Sequence, residues 1–299
     1  TGGAWTTGAN WSPSATPPSD NDDVIIPADQ SASITAVPTI TLHSLTANGT
    51  VRFEAATAGN TITVSGVGSS LNVATGKTLS LGNGTAGAAK RLNFTLASDA
   101  TGNINGSAII DFDPGNTATN FQVDGDLTID SSALLTDLNA VTNNGSCFIL
   151  SSGATLHIAN SNGITNTGSA SGAIQTTGTN GKCGTGKLYS TGANYDYNGT
   201  GSQVSGNGLP TAAISGTVTV GASSALTPSN AMIIDGTLTV NGTLIPGAPG
   251  QVISGAGTLN GTGTLQVSRA SRFLNQYTQT TKDISAMTVE YTVLTGGKH

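Results

Sequence analysis

Asp20, Asp22 and Asp23 fall within four residues beside Asn21, and carboxylate and amide oxygens are the ligands Ca²⁺ takes. The cluster lacks the spaced ligand pattern of a dedicated calcium loop, so a solvated acidic turn ahead of a strand is the competing reading. Asp111 and Asp113, in DFDPGN, share one face of an extended segment, as do Asp124 and Asp126. Carboxylate pairs held roughly 5–9 Å apart are what glycoside hydrolysis uses. A polysaccharide lyase would also need a strong base, yet Lys90, Arg91, Arg269 and Arg272 are expected in different coils from those acids. Tyr195 and Tyr197, two apart in NYDYNG, share a face as well; they either stack on sugar rings or pack inward. His43, His157 and His299 are isolated, and no serine sits in a nucleophile-elbow phrase.

Cys147 and Cys183 are the two cysteines. They form either one disulfide, closing a loop long enough to stabilise by roughly 3–4 kcal/mol, or two buried small residues. Neither has another Cys or His at metal-ligand spacing. This sparse set predicts a chain that is not an enzyme and has no cofactor, with Ca²⁺ as the one metal to test.

The segments that carry these residues are short and repetitive. Charged residues make up 9% of the 299, aromatics 4%, and glycine numbers 41. Disorder normally combines high net charge with few β-branched residues, whereas here the net charge is −6 and Val, Ile and Thr recur throughout. Ten Lys and Arg, mostly scattered singly, argue against a nucleic-acid surface. No apolar run reaches the ~18–20 residues that span a bilayer as a helix. The chain begins with Thr1, which suggests a processed protein or an excised segment.

Apolar residues alternate with polar or small ones in runs such as Leu79/Leu81, Phe121/Val123 and Leu156/Ile158, punctuated by Gly or Asn-Gly. That is the period of a half-buried strand bounded by tight turns. One phrase recurs: Gly216-Thr217-Val218-Thr219-Val220, Gly236-Thr237-Leu238-Thr239-Val240 and Gly257-Thr258-Leu259, with Gly242-Thr243-Leu244 and Gly263-Thr264-Leu265 as a second column. The steps are 20 or 21 residues. A β-sandwich has no reason to repeat a column at a fixed interval; a coil of short strands does. The sequence predicts an all-β, right-handed parallel β-helix of 20–21 residues per coil, roughly a dozen coils and about 60 Å long.

In it Val218, Leu238 and Leu259 form one inward file, and Leu244 and Leu265 another. Thr217/Thr219 and Thr237/Thr239 form outward files, continued by Thr258 and broken at Asn260. Residues 1–30, with Trp5 and Trp11, read as an N-terminal cap ending in a first strand at Val24–Ile26. Residues 31–299 read as the solenoid, truncated or continued at its end. The stretch 131–141, SSALLTDLNAV, reads as one turn or a bulging loop.

Two longer stretches carry more than solenoid chemistry. They are CFILSSGATLHIANSNGITNTGSASGAIQTTG with ANYDYNGTGSQVSGNGLP, and ISGAGTLNGTGTLQVSRASRFLNQYTQTTKDISAMTVEY. With the opening GAWTTGANWSPSATPPSDNDDVIIP, they resemble the large repetitive β-solenoid surface and secreted proteins of Bacteroidota bacteria. The resemblance implies an extracellular or cell-surface, adhesin-like or structural role, and it supplies no catalytic motif. It also implies a C-terminal sorting domain, and nothing at MTVEYTVLTGGKH resembles one. The expected partners are further copies of the chain, in a filament or surface layer, or a glycan or other surface ligand; nucleic acid and a transmembrane segment are not expected. A carbohydrate-binding or polysaccharide-degrading β-helix is the alternative. The Thr files raise ice binding as a third reading, set against the ordinary preference of Thr for exposed strand positions.

Overall fold

The computed structural model describes residues 2–12, 16–57, 59–82, 92–110, 120–130, 133–137, 147–166, 172–175, 187–247, 251–268 and 272–292. One sheet runs the whole length. Its eleven strands begin at Asp23–Ile26, Ser44–Ala47 and Gly68–Val73 and end at Thr237–Val240, Thr258–Gly261 and Thr281–Lys282. In the N-terminal part it is flanked by a seven-stranded sheet, from Gly3–Ala4 to Ile174–Gln175, and a six-stranded one, from Ile40–Leu42 to Lys187–Tyr189. In the C-terminal part a five-stranded sheet, from Gly201–Val204 to Thr288–Tyr291, and a pair, Met232–Ile233 with Ile253–Ser254, replace those two. The strand pairings are parallel, and successive strands in the chain belong to different sheets. The chain is a parallel β-helix.

The alternating residues do what their period demands. Val218, Leu238 and Leu259 are in register on consecutive coils and each is fully buried, as are Leu244 and Leu265. At full burial each such side chain contributes on the order of 1.5–3 kcal/mol before conformational entropy is set against it. Elsewhere the inward files hold aromatics: Phe94, Phe121 and Phe148 lie in register, with ring centroids 4.7 and 6.3 Å apart and planes 22° apart at each step.

The coil length departs from the expected 20–21 residues. From Tyr195 the long sheet advances by 23, 20, 21 and 23 residues through Val218, Leu238, Leu259 and Lys282. From Leu71 to Tyr195 the steps are 31, 25, 29 and 39, through Gly102, Leu127 and Leu156. A solenoid fixes the strand positions but leaves the length of the connections open, so register survives the insertions. Ten steps at about 4.8 Å give a rod near 48 Å, shorter than a uniform period implies.

Two further expectations change. The cap is more than a cover: Gly3–Ala4 pairs with Ile34 and Thr35 as the first strand of the seven-stranded sheet. Trp5 is buried edge-on between Trp11 and Phe53, at 4.9 and 6.1 Å, and its Nε1 donates to the Pro18 carbonyl at 3.1 Å. Within 131–141, Leu134–Asp137 is a strand in register with Ser107–Ile110, neither turn nor bulge. Leu135 fills the core file that runs from Leu79 through Ala108 to Ile174.

The repeated glycine of the Gly-Thr-Leu phrase has a steric cause. A Cβ on Gly236 would stand 2.1 Å from the Gly216 carbonyl oxygen, and one on Gly257 would stand 1.9 Å from that of Gly236. Gly242 and Gly263 meet the carbonyls of Gly221 and Gly242 in the same way, at 2.2 and 2.0 Å. These corners stack backbone directly on backbone. Gly236→Ala is therefore expected to destabilise by about 1–3 kcal/mol, whereas Thr237→Ala, on the outer face, costs well under half of that; urea unfolding of both variants checks this.

Candidate functional site

The acidic turn is tied into the second coil. Asp20 Oδ1 accepts from the Thr41 amide at 2.9 Å, and Asp22 Oδ2 accepts from the amide and hydroxyl of Ser19 at 2.8 and 3.0 Å. Asp23 Oδ1 accepts from Ser44 Oγ at 2.6 Å and lies 2.8 Å from His43 Nδ1. The Ser44 hydroxyl, and after it His43, hold the Asp23 carboxyl below its ordinary range. Each carboxylate thus serves a different donor, and the three do not converge on one point as ligands would. Among the described residues no group of three or more His, Cys, Asp or Glu is placed to hold a metal ion.

Tyr195 and Tyr197 sit inside the coil with no exposed surface, which removes them as a sugar-stacking pair. Their alternation is that of inward residues: Tyr195 follows Leu156 and precedes Val218 in the core file. Each phenol must find an acceptor in the interior. Tyr195 Oη donates to the Ser190 carbonyl at 2.6 Å, and Tyr197 Oη to that of Ser205 at 3.0 Å. Burial pushes both phenols well above their ordinary pKa. Asp111, Asp113, Cys183 and His299 lie outside the described residues. Cys147 is fully buried and disulfide-bonded.

The most ordered polar arrangement is the outer face of the long sheet. One file runs Thr101, Asp126, Thr155, Asn194, Thr217, Thr237, Thr258, Thr281. The adjacent file runs Thr46, Asn72, Asn103, Thr128, His157, Asp196, Thr219, Thr239, Asn260. Neighbours bridge from coil to coil: the Thr217 amide donates to Asn194 Oδ1 at 2.9 Å, and Thr239 Oγ1 donates to Asn260 Oδ1 at 2.9 Å. The Thr array is thus longer than the recurring phrase alone indicates.

Spacing along the chain gave no sign of one partnership in this face. His157 Nδ1 lies 2.7 Å from Asp196 Oδ2, a partner 39 residues away, with both side chains less than a third exposed. The carboxylate acceptor fixes the proton on Nδ1. The hydrogen bond to Asp196, aided by its charge and that of Asp126 and opposed by burial, raises the imidazole pKa. The pair lies on an open sheet face lined by Thr and Asn, so it ties two coils together.

A groove of about 680 Å³ lies at the N-terminal end, between the cap and strand Asp23–Ile26. A smaller hollow of about 400 Å³ sits beside Val204, Pro228 and Gln251. Compared with protein-family models, curated proteins and solved structures, the chain finds no match.

Because the folded-state pKa of His157 is raised, its charged-pair stabilisation is fully present below the unfolded value near 6.5 and is lost as pH rises through the folded value. Wild type is expected to gain stability over His157→Gln as pH falls from 8.5 to 6, by under about 1 kcal/mol. Thermal unfolding at the two pH values measures the difference; equal gaps would show that the pair carries no pH-dependent stability.

Proposed function

We propose that the protein is a non-enzymatic, extracellular structural or adhesive rod that associates with copies of itself. The observation that carries this reading is the eleven-strand parallel ladder, whose two outer strands each pair, among the described residues, on one side. Pulling along such a rod loads its coil-to-coil hydrogen bonds in series, and the interior between them is filled by apolar side chains. A strand edge with an open side is a template for another chain, so rods of this kind join by adding strands.

Support for the carbohydrate reading is thinner, because Tyr195 and Tyr197 are internal. One observation favours a second reading, ice binding: outward Thr residues at positions 217, 237, 258 and 281 are in register, with Thr219 and Thr239 beside them. Adjacent strands lie about 4.8 Å apart and outward neighbours on one strand about 6.7 Å apart, a flat lattice of hydroxyls and methyls. Thermal hysteresis lost in Thr237→Lys would support that reading, and its absence in wild type would end it.

The structural reading predicts that sedimentation of the purified chain shows species above the 29.5 kDa monomer, growing with concentration and elongated in electron micrographs. A monomer at millimolar concentration would contradict it.

A further inference from the structure

We propose that the rod is two units joined by a hinge. The coils up to Tyr189 and those from Asn194 open apart at one interface, about the link at residues 190–193, and Gln203 is the buried latch that holds them closed. This concerns the single chain and does not depend on whether copies associate.

Elsewhere among the described residues, consecutive coils are bridged by strand ladders in two or three of their sheets. Between the coil that begins at Thr155 and the one that begins at Asn194, a single ladder crosses, Thr155–Ile158 with Asn194–Tyr197. Strands Ile174–Gln175 and Lys187–Tyr189 end their sheets on the N-terminal side of this interface. On the other side, Gly201–Val204 pairs with the next coil, at Ser224–Thr227, and the bridge at Ile214 also runs onward, to Ile234. Each coil of a solenoid touches only its neighbours, so cooperativity breaks where one interface is weakest. Tension along the axis loads the interfaces in series, and this one yields first.

Single backbone bonds and side chains stand in for the missing ladders. The amides of Asn198, Val204 and Gly208 donate back to the carbonyls of Ile158, Ser161 and Ile164, at 3.1, 2.9 and 2.9 Å. On the outside, His157 bonds to Asp196, and the Asn166 amide donates to Asn207 Oδ1 at 2.9 Å. Inside, Gln203 is 2% exposed and spans three coils. Its Nε2 reaches back to the Ile158 and Asn160 carbonyls, at 2.6 and 2.9 Å. Its Oε1 accepts from the Gly199 amide at 3.3 Å and from Ser224 Oγ, in the following coil, at 3.0 Å. Tyr197, by contrast, donates to Ser205 within its own coil and ties nothing across. Opening the interface therefore exposes the Gln203 amide and breaks its two backward bonds together, which makes the closed state cooperative.

The test is native-state hydrogen exchange of the full chain across a urea series. Amides of Ala100–Ile104 and Asp126–Ile129, on one side, and of Thr217–Val220 and Thr237–Val240, on the other, are expected to exchange through separate openings, with a step in free energy and urea slope between the two sets. One shared free energy on both sides, or a smooth gradation from one end with no step at this interface, would overturn the proposal. Val220→Ala, a core truncation beyond the hinge, is expected to speed exchange in the C-terminal set at least about tenfold and leave the N-terminal set as in wild type. Equal acceleration of both sets would show one cooperative unit.

Gln203→Leu is expected to speed exchange at the amides of Asn198, Val204 and Gly208 at least about tenfold, with both flanking sets unchanged. Acceleration spread equally over Thr217–Val220 and Thr237–Val240 would place Gln203 in the core of the C-terminal unit and contradict the latch, as would no change at the three amides. The wild-type series and Val220→Ala decide the two-unit claim without this variant.

Discussion

Hydrogen bonds between parallel strands set the distance between coils at about 4.8 Å, and that spacing governs the side chains of the described strands. A residue in register with its neighbour one coil away must pack directly on it. The stacked phenylalanines Phe94, Phe121 and Phe148 satisfy this inside. Thr, Asn, and the His157–Asp196 pair satisfy it outside, where His157 bonds to Asp196 and Thr239 to Asn260 from coil to coil. At the corners, where even a methyl group is too large, Gly216, Gly236 and Gly257 leave only backbone. A low charge content follows from the same spacing, since like charges placed in register one coil apart repel.

Among the described residues the constraint loosens near the middle of the rod. There the six- and seven-stranded sheets end and the five-stranded sheet begins, while the long sheet continues. Interior residues at this joint are polar or large. The buried Lys187 follows Phe148 in register and its Nζ donates to Thr165 Oγ1 at 3.1 Å. Gln203, buried, donates to the carbonyls of Ile158 and Asn160 at 2.6 and 2.9 Å and accepts from Ser224 Oγ at 3.0 Å. Gln203, Tyr195 and Tyr197 each add a second donor to carbonyls that already accept a backbone amide, and Lys187 bonds a hydroxyl, so these buried polar groups are partnered as they must be. The change of cross-section is thus filled by hydrogen-bonding side chains where the regular coils hold aliphatics.

Much of this was legible in the sequence, and the reasons for success and failure are specific. Val218, Leu238 and Leu259 repeat at nearly constant intervals because the C-terminal connections are short, so both the fold and the register could be read from them. Between Leu71 and Tyr195 the connections vary in length, and no fixed period could show that Leu71, Gly102, Leu127 and Leu156 form one file. Leu135 escaped because adjacent leucines in SSALLTDL hide the alternation. Tyr195 and Tyr197 were placed on one face by their spacing, but which face is decided by the neighbouring coils. The partnership of His157 with Asp196 is a coil-to-coil contact across an irregular interval, invisible without the register. The carboxylates of the acidic turn were visible as a cluster, but their separate donors, Ser19, Thr41 and Ser44, belong to three different places.

A sheet that runs through all the described coils suits the mechanical role proposed above. All of this depends on the axial order of the coils. The most direct measurement is the distance between nitroxide labels on Thr46→Cys and Asn260→Cys, outward residues eight ladder steps apart in one file. Pulsed electron resonance is predicted to give a main distance of about 38 Å, widened by the label linkers. A main distance under about 25 Å would mean that the chain doubles back as in a sandwich, and would contradict the stacked coil.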